Sequence, residues 1–391
     1  MKVLVVGGGA REHAICDAVF RSKNTQLFSL MSNLNPGIKI LSEDYLQEKE
    51  TNIEKVVEYA KIKDIDFVII GPEAPLEAGI VNELNKFGIK SCSPTMEAAR
   101  IETDKEWMRN LLKKYKIPGQ LKCETFTNVE KARRFVEKLS GQVALKPIGL
   151  TGGKGVRVAG DHFNGVDEAI EYIKEVIEKK IGGKSKILIE EKAIGEEITL
   201  QAFSDGKTIL PLHAVQDHKR LLPQDKGPNT GGMGSYSCDD GLLPLLTKSE
   251  YEESAAILQK IVEALDKEGC PYIGPIYGQF MLTVDGPKII EINARFGDPE
   301  AMNVLPLLET DFVDICKAMV DGNLESKKLQ MKRKSTVCKY VVPEGYGVQC
   351  KVGEKVFVDE NSIKSTGSKL FYASVNKEND FVTTTSSRSL A

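Results

Sequence analysis

Glu291, Asn293 and Arg295 alternate along Glu291-Ile292-Asn293-Ala294-Arg295, and the period of two in a strand places all three on one face. If the hairpin running from 277 to 295 turns on Asp285-Gly286-Pro287, Gln279 lies directly opposite Asn293. One carboxylate and two amide oxygens, with a guanidinium just beyond, suit Mg2+ or Mn2+ held mainly by that carboxylate and by substrate phosphates. The alternative is a solvated polar face on an antiparallel sheet. Ile289, Ile290 and Ile292 make core in either case.

Lys146 stands in the apolar run Val143-Ala144-Leu145. A lysine on a buried strand is costly unless it faces an opposite charge, which a phosphate would supply. The loop Gly149-Leu150-Thr151-Gly152-Gly153-Lys154-Gly155 follows. It is not a Walker A loop: Ile148 stands where the first glycine belongs and Gly155 where Ser or Thr would bind Mg2+. What remains is a flexible hairpin loop whose amides (Gly152, Gly153) and Lys154 could close over a triphosphate.

At the N-terminus the strand-like Lys2–Val6 runs into Gly7-Gly8-Gly9 and then a helical pattern. A dinucleotide fingerprint is disfavoured, because Glu12 holds the third glycine position and Ser32-Asn33 stand where a ribose-binding acid is needed. Two readings stay open: a sugar-phosphate site with Arg11 and His13 as donors, or a structural turn with both side chains solvated. The long stretch Gln216 to Cys238 reads as a loop, and loops of that length are functional or disordered. Asp217, His218, Lys219 and Arg220 precede four glycines, Gly232 among them, whose amides could contact a ligand.

The elements that must carry these residues fall into three groups. Strands alternate with helices up to about residue 102, which predicts a doubly wound, Rossmann-like parallel sheet. From 103 to 325 the pattern is α+β and antiparallel, with a mobile lid over about 118–192; 326–391 reads as a small, mainly β third domain. A single helix is expected over Pro75–Phe87, another over Thr103–Tyr115, and tail strands at Ser335–Val342 and Leu370–Val375. Among 391 residues, 53 basic against 56 acidic give a net charge of −3, so nothing in the charge favours a nucleic-acid or membrane-surface binder. No apolar run nears the ~20 residues that span a bilayer. Eight cysteines lack any C-x-x-C pair, which reads as reduced thiols in the cytoplasm.

The segments GGGAREHA (7–14), GPEAPLEAG (71–79), LTGGKGV (150–156), QDHKR (216–220), GPNTGGMGSYS (227–237) and EINARFGDPE (291–300) together resemble the phosphoribosylamine–glycine ligase family of the ATP-grasp superfamily. The resemblance implies an ATP-grasp central domain. It also implies a ligase joining glycine to 5-phosphoribosylamine through a glycyl phosphate, with ATP as cosubstrate and Mg2+ or Mn2+. By the same resemblance Lys105 and Lys146 hold ATP phosphates, with Gly152, Gly153 and Lys154 closing over them. Glu190 and Glu191 mark the adenine hinge and Glu197 takes the ribose hydroxyls. Gln279, Glu291 and Asn293 match the metal positions. Arg295, Asp217 and Lys146 match catalytic ones, the first two near the glycine. Gly8, Gly9, Arg11, His13, Asn35, Pro36, Gly37, Glu73 and Gly232 fall to substrate binding. A monomer or weak homodimer in the cytoplasm, with no nucleic-acid or membrane partner, is expected. The family continues past Ala391, so the C-terminal domain is expected to be incomplete.

Overall fold

The computed structural model describes residues 1–149, 155–224, 226–347 and 349–385. Gly152, Gly153 and Lys154 therefore lie outside the described residues, as does the expected strand entry at Arg388–Ala391. The apolar run of β1 (Lys2–Val6) is buried on both faces, between layers formed by α1 (Ala10–Arg21) and its neighbours. The chain continues through β2 (Gln26–Met31), α2 (Pro36–Leu41), β3 (Asp44–Gln47), α3 (Ile53–Ile62) and β4 (Phe67–Ile70). It then runs through α4 (Glu73–Glu77), α5 (Ile80–Lys86), β5 (Lys90–Ser91) and α6 (Met96–Thr103). All five strands are parallel in the order β3-β2-β1-β4-β5. The order reverses between β1 and β4. The loops leaving them, 7–9 and 71–72, thus flank the crevice where open α/β sheets bind ligands. The helix expected over Pro75–Phe87 is two helices, because Gly79 adopts φ +84° between them.

Helix α7 (Lys105–Lys114) starts later than expected: Asp104 caps it, accepting the Trp107 N–H at 3.0 Å. Then come β6 (Cys123–Phe126), α8 (Val129–Lys138), β7 (Val143–Pro147), β8 (Arg157–Val158), α9 (Gly165–Lys179) and β9 (Ile187–Glu191). They form an antiparallel sheet, β6-β9-β7-β8, with its own core of Phe126, Leu145, Ile173, Val176 and Ile189. A second stretch holds β10 (Glu196–Asp205), β11 (Ile209–Pro211), β12 (Gln216–Leu222), β13 (Lys226–Ser237) and α10 (Lys248–Lys267). Next are β14 (Ile273–Thr283), β15 (Gly286–Asn293), α11 (Glu300–Val304) and α12 (Phe312–Asp321). The sheet β11-β10-β14-β15 packs Phe280 and Ile289 against Ile257, Leu258 and Ile261 of α10.

Two expectations need correction here. Gln216–Cys238 is not a loop but the hairpin β12/β13, irregular at His218/Arg220 and Arg220/Leu222 and extended on its far edge by β16 (Thr336–Lys339). Its glycines reflect close backbone approach: a Cβ on Gly234 would lie 2.6 Å from the Cys338 carbonyl. The hairpin β14/β15 turns on two residues, Val284-Asp285, with Gly286 at φ +87°, and Ile290 is an extra, bulged residue. Gln279 consequently faces Glu291, and Tyr277 faces Asn293.

The tail adds β17 (Lys355–Val356), α13 (Glu360–Ser365), β18 (Val375–Glu378) and β19 (Phe381–Thr384) as a sheet β17-β19-β18. Its expected first strand is β16, which belongs to the β12/β13 sheet. The strand expected over Leu370–Val375 begins only at Val375, because the carbonyls of Tyr372 and Ala373 are taken by Asn35. No helix among the described residues is long and apolar enough to cross a membrane.

Candidate active site

Strands β7, β9 and β15 and helix α7 bring charged side chains together between the two antiparallel sheets. Lys146 finds its opposite charge inside the protein: its Nζ lies 2.7 Å from Glu190 Oε2 and donates to the Ile290 carbonyl at 3.0 Å. Glu190 is fully buried and also takes Arg109 Nε on Oε1 at 2.6 Å. Burial pushes the Glu190 carboxyl up, but Arg109 and Lys146 outweigh it and hold it below the ordinary range. Glu191 turns instead to Lys122, accepting that residue's backbone N–H at 2.9 Å. Lys105, at the start of α7, donates to the Gly149 carbonyl at 3.1 Å. Burial and the neighbouring Lys146 ammonium lower its pKa.

The bulge in β15 sets Glu291 beside this group. Its carboxyl is pushed up by burial and drawn below the ordinary range by Lys219, Lys146, the Asn293 amide and Lys105. Asn293 Nδ2 donates to Glu291 Oε1 at 3.2 Å. Gln279 Nε2 donates to Glu197 Oε2 at 2.6 Å, and Gln279 Oε1 accepts Lys219 Nζ at 2.7 Å. The structure thus gathers Gln279, Glu291, Asn293 and Glu197 around the Lys219 ammonium, which Gln279 accepts directly and Glu197 faces at 3.9 Å. Burial works against that charge, yet Asp217, Glu197, Glu291 and Glu300 raise the Lys219 pKa. Among the described residues no group of three His, Cys, Asp or Glu could hold an ion unaided. A divalent ion here fits a set of one ionised carboxylate, amide oxygens and ligand phosphates.

Arg295 leaves β15 and spans to the first sheet. It pairs with Glu73, the first residue of α4, at 3.4 Å and with Glu102 on α6 at 3.2 Å. Burial alone would push the Glu73 carboxyl up; Arg295 and Arg11 reverse this and bring it to about 2. Glu102 accepts the Ala294 N–H at 2.6 Å, and its burial raises its pKa. Asp217, on β12, lies within electrostatic reach of Glu300. Glu300 is buried at the start of α11 and takes the Tyr277 hydroxyl at 2.9 Å. Burial first and Asp217 second push it up to about 7. Gly232 sits nearby in sequence, in β13, at φ +122°.

In the crevice between β1 and β4 the reading of Arg11 and His13 as solvated side chains does not hold. Arg11 and His13 are buried, not solvated. Arg11 pairs with Glu12 at 2.7 Å and reaches the Phe296 carbonyl. The Gly9 N–H is taken by Glu12 Oε2 at 2.7 Å, and a Cβ on Gly71 would lie 2.1 Å from Glu12 Oε1. Glu12 therefore fills the space that the third glycine of a dinucleotide site keeps open. His13 Nδ1 accepts the Tyr372 N–H at 2.9 Å, which leaves the ring proton on Nε2, and burial lowers its pKa to about 4. Asn35 is fully buried, caps α2 through its Oδ1 and gives its Nδ2 to the carbonyls of Gly8, Tyr372 and Ala373. Pro36 occupies the first turn of α2, and Gly37 is glycine because a Cβ would lie 1.9 Å from His13 Cε1. The Gly8 carbonyl accepts Asn33 and Asn35.

The family models resolve what this geometry belongs to. The phosphoribosylglycinamide synthetase N domain matches residues 1–102 and its ATP-grasp (A) domain residues 103–301. The chain belongs to the phosphoribosylglycinamide synthetase family. It is 52% identical over 391 residues to the phosphoribosylamine–glycine ligase of Methanothermobacter thermautotrophicus, covering 100% of this chain and 88% of that one. The enzyme of the same name from Methanobrevibacter smithii is 51% identical with the same coverage. The crystal structure of phosphoribosylamine–glycine ligase from Thermotoga maritima superposes with a TM-score of 0.82 at 27% identity, over 100% of this chain and 91% of that one. The biotin carboxylase domain of a Hydrogenobacter thermophilus carboxylase reaches 0.73 at 16% identity (100% and 84% covered), a likeness of fold alone. The family is one of ATP-grasp ligases, so ATP use and a divalent metal go with it.

Three residues of this site escaped the sequence reading: Glu102, Arg109 and Glu300. Glu300 stood inside a quoted motif, and its charge was the available signal. Arg109 and Glu102 sit on ordinary amphipathic helices, where nothing in the spacing separates a buried ion from a solvated one.

Proposed function

We propose that this chain joins glycine to 5-phosphoribosylamine at the expense of ATP, giving glycinamide ribonucleotide, ADP and phosphate as a step of purine synthesis in the cytoplasm. The observation that carries the reading is the salt link from Arg295 to Glu73. It ties the β15 end of the cationic cluster to the crevice of the parallel sheet, so one site can hold a nucleotide and the other a sugar phosphate within reach of a shared centre. Lys105 and Lys146 then steady the phosphates of ATP, with Lys154 as a further cation from the loop. Glu291, with Asn293 and Gln279, would hold Mg2+ or Mn2+, which when bound neutralises charge on the transferring phosphoryl group.

The glycine carboxylate is placed by Arg295, and Asp217 and Gly232 line its other side. The glycyl phosphate made there is attacked by an amine that is already nucleophilic, so cations and amide donors carry most of the rate enhancement. Excluding water protects that intermediate. In the first sheet, Gly8, Gly9, Arg11, Pro36, Gly37 and Glu73 shape the sugar-phosphate site, with His13 and Asn35 acting from behind it. The divisions at 102/103 and 325/326, with 118–192 as a lid, remain part of this proposal, as does a monomer or weak homodimer. ADP release is measured with glycine plus phosphoribosylamine generated in situ, against controls lacking either. Turnover that needs both supports the assignment; turnover with glycine alone, or with bicarbonate, refutes it.

A further inference from the structure

Arg109 has no part in the reaction as described, yet it sits where three elements meet. Its side chain is 4% exposed. From α7 its Nε reaches Glu190 Oε1 at 2.6 Å on β9, and its NH2 donates to the carbonyls of Ile289 and Ile290 at 2.9 and 3.2 Å on β15. Glu190 Oε2 takes Lys146 Nζ at 2.7 Å, and Lys146 returns to the Ile290 carbonyl at 3.0 Å. Arg109, Glu190, Lys146 and the bulge carbonyl therefore close a ring. A buried carboxylate stripped of its only counter-ion is strongly unfavourable. Glu190 has two counter-ions, so one of them is free to leave.

We propose that Arg109 is a positioning residue: it keeps Glu190 compensated, so that Lys146 can pass from Glu190 to a nucleotide phosphate. The inference rests on the nucleotide-binding reading and adds the residue that sets the availability of Lys146. Without Arg109, the ammonium of Lys146 becomes the sole partner of Glu190 and is held back from the ligand. A second removal, of the Glu190 charge, releases it again.

The test is calorimetric titration of the full chain with MgADP, alongside ATP and glycine KM values, for wild type, R109Q, E190Q and R109Q/E190Q. Expected is an R109Q affinity about tenfold or more weaker, the loss of one charge-assisted contact. The KM for ATP should rise in parallel while that for glycine stays unchanged. R109Q/E190Q should bind like E190Q, since the work of Arg109 requires a charged Glu190. That last comparison also serves if R109Q alone does not fold. Folded R109Q binding within twofold of wild type, or a double variant about tenfold weaker than E190Q, would overturn the inference. A wild-type chain that binds no MgADP would instead overturn the nucleotide reading itself.

Discussion

Replacing Glu291 with Gln separates metal chemistry from nucleotide binding, and the charge inventory gives each effect a sign. Around the site stand the cations Lys105, Arg109, Lys146 and Lys219, interleaved with the carboxylates Glu190, Glu197, Glu291, Glu102, Asp217 and Glu300. E291Q keeps the side-chain volume and an acceptor for the Asn293 amide, so the fold should persist within about 1 kcal/mol. It removes one negative charge from the site. At a separation of about 8 Å and an effective dielectric near 20, one unit charge is worth roughly 2 kcal/mol against another, less where water reaches the cleft. Binding of metal-free ADP should therefore hold steady or tighten a few-fold. The added affinity and turnover that depend on Mg2+ should fall, with kcat/KM down at least ~10³-fold, about 4 kcal/mol of transition-state stabilisation. Calorimetry of ADP with and without Mg2+, and ADP release with both substrates, read the two effects apart. Turnover within tenfold of wild type, or metal-free ADP binding weakened as much as MgADP binding, would refute the assignment of Glu291.

Three further outcomes follow from individual contacts. R295M leaves Glu73 and Glu102 without their shared guanidinium. The Glu73 pKa lies below its unfolded value, so its stabilisation is present above pH ~4.5 and fades toward ~2, and the wild-type advantage, roughly 1–2 kcal/mol once discounted for a side chain 35% exposed, should shrink over that window in urea titrations. H13Q retains an acceptor for the Tyr372 N–H but cannot titrate; because burial lowers the His13 pKa to about 4, wild type should lose up to roughly 3 kcal/mol as pH falls from ~6.5 to ~4, and H13Q should show a flatter limb. G37A drives a methyl into the His13 ring and should cost about 2 kcal/mol or more by the same titration, whereas G88A, open around its Cβ, should cost less despite its left-handed backbone.

Periodicity made the parallel sheet legible, because continuous apolar strands alternating with helices leave few other packings. It also placed Glu291, Asn293 and Gln279 together, though the register came out shifted. A bulge adds one residue without changing any residue type, so no pattern in 286–293 could announce Ile290. The hairpin β12/β13 was hidden for a different reason: Gly234 serves the close approach of β16, a partner about a hundred residues away. Lys146 was correctly suspect as a buried cation, but its counter-ion was sought in a ligand. Glu190 supplies it, from a strand whose own sequence reads as apolar core followed by surface charge. Asn35 and His13 carry the chemistry of ligand contacts, yet both are spent on backbone groups of 372 and 373, a pairing no local spacing could reveal.

The bulge therefore has a mechanical consequence. Ile290 leaves carbonyls that the ladder does not use, and these are taken by Lys146 and Arg109; four residues on, the Ala294 N–H is taken by Glu102, and Arg295 reaches Glu73. A buried strand with unmet backbone groups would be penalised, so β15 gains its stability from side chains on α7, β7, α6 and the first sheet. Any displacement of the β6-β9-β7-β8 sheet that moves Lys146 must exchange its bond to Ile290 for another. A phosphate oxygen can offer that exchange, while Arg109 stays behind to hold the carbonyl. Ligand binding on one side of β15 and the Arg295–Glu73 link on the other thus act on a single strand.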